Sequence, residues 1–280
     1  MIAAEEAGHA LADVLETRFP GTAAYVAGEF AAGAVMGADG ARLGAGTTVA
    51  ARQPVWMYRQ LPDEVEVPFD QPVLYRDERI VVVDKPHFLA TMPRGARVVQ
   101  SALVRLRLGL GEPHIAPAHR LDRLTAGVLL FTVDPSVRGA YQQLFAAGSA
   151  RKEYEALAPL RDGLELPAVV RSRIEKTPGI MRAYEVAGEP NAESRVELAD
   201  WLGAAGRYRL TPRTGKTHQL RLHMAGLGVP ILGDPLYPEQ RVVADDDFTD
   251  PLRLLARRLA FIDPVDGTER EYVSARVLAV

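Results

Sequence analysis

A carboxylate set between two cations is the first feature that could do chemistry. In "PAHRLDRLTAGVLLF" (117–131), Asp122 lies between Arg120 and Arg123, and the apolar run Val128 to Phe131 follows at once. A backbone that runs straight into a buried strand is anchored, and Thr125 and Gly127 form a turn that fixes the direction of the aspartate. Nearby positive charge favours the ionised carboxylate, which suits a nucleophile or a base. A surface ion pair would look the same, and this stretch alone leaves both readings open. The motif faintly echoes a kinase catalytic loop. However, Leu121 intervenes before the aspartate, no Asn follows at the required distance, and "DFG" occurs nowhere in the chain.

A second stretch, "TPRTGKTHQLRLH" (211–223), contains "GKT" without the rest of a phosphate-binding P-loop. That loop needs a glycine five residues before its second glycine, and position 210 is Leu210. His218 and His223 are five apart, whereas zinc-binding helices place histidines four apart on one face. What remains is a tight turn, Arg213 to Gly215, feeding a helix on which His218 and Arg221 share a face. With Lys216 beside it, that helix start suits a phosphate group, or is simply a basic surface helix. A third stretch, "RKEYEA" (151–156), puts Lys152 and Tyr154 on one strand face and Glu153 and Glu155 on the other. Tyr154 could stack on a base or move a proton, or serve only as a core tyrosine.

Charge distribution points the same way. The net charge of −3 argues against a generic polyanion binder, but the average hides a pattern. From Trp201 to Gly233 there is no Asp or Glu, yet Arg207, Arg209, Arg213, Lys216 and Arg221 all fall there. A second basic cluster comprises Arg105, Arg107, Arg120 and Arg123. Local basic stripes on an acidic chain suit a protein that holds a phosphate backbone on one face. The absence of cysteine excludes thiolate nucleophiles and a disulfide framework. No apolar run approaches the roughly 20 residues needed to span a bilayer. The first residues have neither a basic start nor an apolar signal core, so a cytoplasmic protein is expected.

The elements that must position these residues read as an α+β fold on a mainly antiparallel sheet, preceded by a small α+β module. "RIVVVDKP" is a buried strand stopped by Pro86, "VVQSALVRLRLGLG" an amphipathic helix ended by glycine, and "GVLLFTV" another strand. Asp134 and Pro135 open a helix that runs to Gly148. "KEYEALAPL" and "RYRLTP" are strands, and "THQLRLHMAGLG" a helix of about three turns. Residues 61–72, with three prolines and four acids, look like a linker. Ahead of it, "ALADVLETRF" shows a short helical pattern with Leu11, Val14, Leu15 and Phe19 on one face, followed by small strands broken by glycine turns. A module of residues 1–66 and a larger domain of residues 67–280 are expected.

Taken together, these pieces resemble the RluA family of RNA pseudouridine synthases. The resemblance rests on "VVVDKPHFLATMPRG" (81–95), "PAHRLDRLTAGVLLF", "RKEYEALA" (151–158), "PRTGKTHQLRLHMAGLGVPILGDPLYP" (212–238) and "ARRLAFIDPVDG" (256–267), in matching order. It implies isomerisation of uridine in structured RNA, ribosomal or transfer, to its C-glycoside, with no cofactor and no metal. It implies Asp122 as the catalytic carboxylate, Tyr154 as the active-site tyrosine and Arg221 as the arginine that pairs with the aspartate. Arg120 matches the residue that enters the space left by a flipped nucleotide. Arg123, Lys152, Arg213, Lys216 and His218 are expected to meet the RNA. A monomer is expected. The first 60 residues resemble a degenerate S4 RNA-binding module, for six acids stand there against four arginines and no lysine. The rival expectation is an RNA-binding chaperone on the same fold that has lost catalysis. A phosphate-ester enzyme would need a metal, for which no convincing ligand set stands in the sequence.

Overall fold

The computed structural model describes residues 1–58, 64–93 and 98–279. The start of the expected linker (61–63) and the end of the 81–95 stretch (94–95) lie outside them. The chain divides into two compact units, Met1–Asp63 and Glu64–Val280.

In the first unit, α1 (Leu11–Arg18) and α2 (Ala23–Ala31) precede a two-stranded ladder of β1 (Met36–Gly37) and β2 (Val55–Trp56). Leu11, Val14 and Leu15 are buried with Val26, Val35 and Val49 in one small core. The second helix was not expected from the sequence: its run of small residues carries one buried side chain, Val26, too little to give a helical stripe.

The second unit is built on one sheet. Its elements are β3 (Val73–Arg76), β4 (Ile80–Lys85), α3 (Ala102–Leu110), β5 (Ala116–Pro117), β6 (Ala126–Thr132), α4 (Arg138–Ala146), β7 (Arg151–Pro159), β8 (Ala168–Glu175), β9 (Tyr184–Val186), β10 (Ala192–Leu202), β11 (Ala205–Pro212), α5 (Gln219–Gly226), β12 (Leu254–Ile262) and β13 (Glu269–Val273). Along the sheet the order is β3-β4-β6-β12-β7-β11-β10-β8-β9, with β13 on β12 and β5 on β6. Among the described residues, the ladder of β6 with β12 is the one parallel pairing between these strands, and the others are antiparallel. The fold is thus α+β on a mainly antiparallel sheet.

In β4 the run of residues 80–83 is apolar without a break, for a reason the cores show. Val81 and Val83 face the core under α3, with Leu103, Leu106, Leu129 and Phe131, while Ile80 and Val82 face the core under α4, with Tyr141, Leu144, Val128 and Leu130. Both faces are covered, so alternation gives way to a continuous run. Each leucine that α3 buries contributes about 1.5–3 kcal/mol. Ser101 caps α3 by accepting from the Val104 N–H, and Gly111 ends it in the left-handed region at φ 68°. Helix α5 closes a third core, Leu220 and Met224 against Ala156, Tyr208 and Leu210. Leu124 and Tyr154 pack against both the α3 and the α5 cores.

Three local expectations need correction. The helix of "THQLRLHMAGLG" is about two turns, because His218 caps it at φ 58° and Leu227 ends it. The Asp134–Gly148 helix begins as a 3-10 turn, Pro135–Val137, before α4 proper. Residues 64–72 form no loose linker. The Glu64 carboxylate accepts from the backbone N–H groups of Val98, Val99 and Gln100, and Val67 is buried in the α3 core. Three unpaired amides just before a helix are a natural seat for a carboxylate.

Candidate active site

Asp122 sits in the short loop between β5 and β6, and the loop is pinned residue by residue to the segment after β4. Thr91 Oγ1 donates to the Leu121 carbonyl (2.7 Å) and accepts from the Leu121 N–H (3.1 Å). Lys85 Nζ donates to the carbonyls of Arg123 (3.2 Å), Leu89 (2.7 Å) and Pro86 (3.0 Å). His87 Nδ1 bonds the Leu124 carbonyl at 2.7 Å. The loop closes on itself as Thr125 N–H donates to the Asp122 carbonyl. It then enters β6 at Gly127, where φ is 112° and an added Cβ would lie 2.2 Å from the Ala256 carbonyl oxygen. Only glycine permits that approach to β12. Lys85 is fully buried, and desolvation pushes its ammonium well below the ordinary range while the Asp122 carboxylate pulls the other way. Lys85, His87 and Thr91 were not singled out from the sequence as site residues. The signal that could have found them is a charged pair, Asp84 and Lys85, ending a buried apolar strand.

The Asp122 carboxylate opens onto a cavity of about 290 Å3, which Arg120, Lys152, Tyr154, Lys216, His218 and Arg221 also line. Such a volume lies near the lower end for small-molecule sites and has room for one pyrimidine ring. Tyr154 forms its apolar wall; burial and then the charge of Asp122 raise its pKa, so the phenol stays protonated. Lys152 Nζ donates to the Thr214 carbonyl (3.2 Å), and burial lowers its pKa. Gln219 secures the turn before α5: its Oε1 accepts from Thr214 Oγ1 and the Lys216 N–H, and its Nε2 donates to the Glu193 carbonyl and Ser194 Oγ. His119 stacks on Phe145 (4.2 Å between centroids), and its Nε2 accepts from the Leu130 N–H. Burial, then the charge of Lys152, takes its pKa to about 3.

Arg221 requires a correction. It reaches the cavity, but its guanidinium fork is given to Asp234 rather than Asp122, with Nε–Oδ2 at 2.8 Å and Nη2–Oδ1 at 2.5 Å. Both side chains are buried, at 2% and 1% exposure. Asp234 lies in the turn after Gly233, and its Oδ1 also accepts from the Leu236 and Tyr237 N–H groups. A carboxylate already supported by two amides is the better seat for a planar fork. Burial works against the Arg221 charge, but the bond to Asp234 and its charge, with Asp122 and Tyr237 adding to them, together raise its pKa.

His218 lines the same cavity: its side chain is 10% exposed, Nε2 is 4.0 Å from Asp122 Oδ2 and Nδ1 is 2.9 Å from the Tyr237 hydroxyl. Its left-handed backbone costs on the order of 1–3 kcal/mol in a non-glycine residue, a strain that places the ring against Asp122. Burial takes its pKa to about 4, with Asp122 opposing the shift.

The remaining expected residues divide by position. Arg120 and Lys216 are exposed at the cavity mouth. Arg123 lines a second, neighbouring cavity of about 700 Å3, which shares Arg120, Asp122, His218 and Arg221. Arg213 is exposed beside Glu193 (3.7 Å) and lines neither cavity. Among the described residues, no group of three or more His, Cys, Asp or Glu could hold a metal ion, and no helix is long and apolar enough to cross a membrane.

Residues 79–226, which carry β4 through α5, match the family model described as RNA pseudouridylate synthase. The fold is similar to that of human RNA Pseudouridylate Synthase Domain Containing 4, with 25% identity and a TM-score of 0.55 over 72% of this chain and 87% of that one. Fold and family model together define a pseudouridine-synthase catalytic unit. Curated relatives narrow it. The chain is 32% identical over 208 residues to "Dual-specificity RNA pseudouridine synthase RluA" of Escherichia coli (strain K12), covering 71% of this chain and 90% of the relative. It is 32% identical over 197 residues to the protein of the same name in Pasteurella multocida, covering 69% and 87%. The chain belongs to the RluA family of RNA pseudouridine synthases.

Proposed function

We propose that this chain isomerises specific uridines in structured RNA, ribosomal or transfer, to pseudouridine, with Asp122 as the catalytic carboxylate. One observation carries the assignment: the Asp122 carboxylate, on a loop held at the Leu121, Arg123 and Leu124 carbonyls, opens into a cavity of about 290 Å3 with room for one base. The glycosidic bond must break, the uracil must turn, and C5 must join the sugar. That cannot happen within a base stack, so the nucleotide is flipped into the cavity at a cost of a few kcal/mol. Arg120, exposed at the mouth, is placed to fill the vacated space. The carboxylate then acts on the sugar, as nucleophile at C1′ or as base at C2′. Tyr154 offers its flat face to the uracil and a neutral hydroxyl as donor. The Arg221–Asp234 pair supports the wall behind Asp122 and adds positive potential without a direct contact. Arg123, Lys152, Arg213 and Lys216 hold the phosphate backbone outside the cavity.

The Met1–Asp63 unit acts, on this reading, as a degenerate S4-type module with little grip on RNA, since its acids outnumber its bases. The enzyme works as a cytoplasmic monomer on its RNA. The test of the overall reading is a transcriptome-wide pseudouridine map of cells with and without the gene. Loss of modification at defined uridines, restored by the wild-type gene, is expected; an unchanged map contradicts the reading.

A further inference from the structure

We infer that His218 is the base that removes the C5 proton in the last step of the rearrangement, an assignment that rests on the uridine-to-pseudouridine reading. The hydrogens at the Tyr237 hydroxyl fix the tautomer of His218. That group has one proton to donate and two lone pairs. It touches three partners: the Ala183 carbonyl at 2.7 Å, the Ala183 N–H at 2.9 Å and His218 Nδ1 at 2.9 Å. A carbonyl can only accept, so the hydroxyl proton goes to Ala183. The two remaining contacts must then be donated to the hydroxyl, which puts the imidazole proton of His218 on Nδ1. Nε2 is left as a bare lone pair facing Asp122 Oδ2 at 4.0 Å. That separation is what two lone-pair atoms with no proton between them adopt.

The other candidates at the cavity are committed. His119 Nε2 already accepts from the Leu130 N–H, so its other nitrogen carries the proton. Tyr154 stays a neutral phenol, and Lys152 donates to the Thr214 carbonyl. Lys85 lines neither cavity, and its Nζ donates to three carbonyls behind the loop. Burial keeps His218 neutral near pH 7, with Arg221 and Lys176 adding to that effect and Asp122 and Asp234 opposing it.

The chemistry needs such a base in this place. Breaking the N1–C1′ bond leaves its electron pair on N1. C5 then bonds to C1′, displacing the Asp122 carboxylate on the nucleophile route, or with Asp122 returning to C2′ the proton it took on the base route, and C5 now carries both the sugar and its original hydrogen. Asp122 must reach C1′ or the hydrogen on C2′, so C5, one bond from C1′, arrives beside the group next to Asp122. Nε2 takes the hydrogen as a proton. The C–H electron pair re-forms the C5–C6 double bond, and the C6–N1 double-bond pair moves onto N1, which is protonated. One proton leaves C5 and one joins N1, so nothing is consumed. The imidazolium formed is stabilised by the Asp122 carboxylate, keeps its Nδ1 bond to Tyr237, and returns its proton to N1 or water. A weak base suffices, because the C5–H is acidified by the C4 carbonyl and the C6–N1 double bond beside it.

The test is single-turnover conversion of a substrate RNA carrying protium or deuterium at C5 of the target uridine, by the wild-type protein and by His218→Asn. Asparagine tolerates the left-handed backbone and can keep a donor to Tyr237, while removing the base. The expected result is a rate at least tenfold lower, with a protium-to-deuterium ratio that rises above the wild-type value to about 2 or more. His218→Gln, which should show the same rise, serves if the asparagine variant does not fold. Variants that keep the wild-type rate, or that slow with an unchanged isotope ratio, overturn the assignment, the second outcome making His218 a positioning residue only. Wild-type protein that converts no uridine would instead defeat the underlying reading, so the two failures are distinct.

Discussion

Replacing Arg221 by Met tests whether its partner is Asp234. The variant keeps the volume of the side chain and removes its fork. Asp234, at 1% exposure, would then be left with only the Leu236 and Tyr237 amides. Breaking a buried pair by deleting one partner costs about 3–5 kcal/mol, because the other charge is stranded. In a unit of this size each kcal/mol moves Tm by about 2–4 °C, so a fall of about 10 °C is expected. Asp234→Asn keeps an acceptor for both amides but strands the guanidinium. The double variant strands no charge and should recover to within about 2 kcal/mol of wild type. With about 3 kcal/mol lost in each single variant and about 2 kcal/mol in the double, the cycle predicts a coupling of about 4 kcal/mol, above the usual range for residues in direct contact because both charges are buried. Urea denaturation of the four proteins measures it. A coupling below about 0.5 kcal/mol, with a large one in the corresponding cycle of Arg221 and Asp122, would contradict this pairing and assign the arginine to Asp122.

Gly127→Ala should cost at least about 3 kcal/mol and most of the activity, since its Cβ would meet the Ala256 backbone at 2.2–2.8 Å and the residue sits at φ 112°; a urea midpoint within error of wild type would contradict this. His87, His119 and His218 are held neutral down to about 4, 3 and 4, against about 6.5 when unfolded. Below pH 6.5 the unfolded chain therefore binds protons the folded chain refuses. Stability should be full above that pH and fall toward pH 4, by on the order of 3 kcal/mol for each histidine moved from 6.5 to 4; denaturation midpoints that stay flat between pH 7 and 4.5 would contradict it. Lys216→Ala should weaken RNA binding and shrink its salt slope by about one, whereas removing residues 1–63 from a chain that still folds should leave the slope nearly unchanged. Filter-binding titrations across salt separate the two, and the reverse pattern would place the phosphate grip in the first unit.

The strands that carry the site were legible because their signals are local. β4 opens and β6 runs with apolar residues (80–83 and 126–131), α3 has a serine cap and a glycine stop, and Asp122 lies four residues before β6. Strands β8, β9 and β10 were not legible. In "AVVRSRIE" and "AESRVELADWL" charged residues on a half-exposed face interrupt the apolar set, and pairing along the sheet makes them strands. The expectation that Arg221 pairs with Asp122 failed for a related reason. Its partner, Asp234, lies 13 residues on in a turn, and only the folded chain brings the two together. The supporting bonds of Lys85, His87 and Thr91 join positions about 30–38 residues apart, which no local spacing rule reaches.

The most direct test of the central claim is single-turnover conversion by Asp122→Asn of an RNA in which the wild-type protein makes pseudouridine, beside a binding titration of the same RNA. The Asp122 carboxylate lines the cavity of about 290 Å3, and on the proposed function it performs the chemistry and holds no phosphate. No detectable conversion is therefore expected, with RNA affinity within about tenfold of wild type, or roughly 1.4 kcal/mol. Substantial pseudouridine formation by the variant would contradict it.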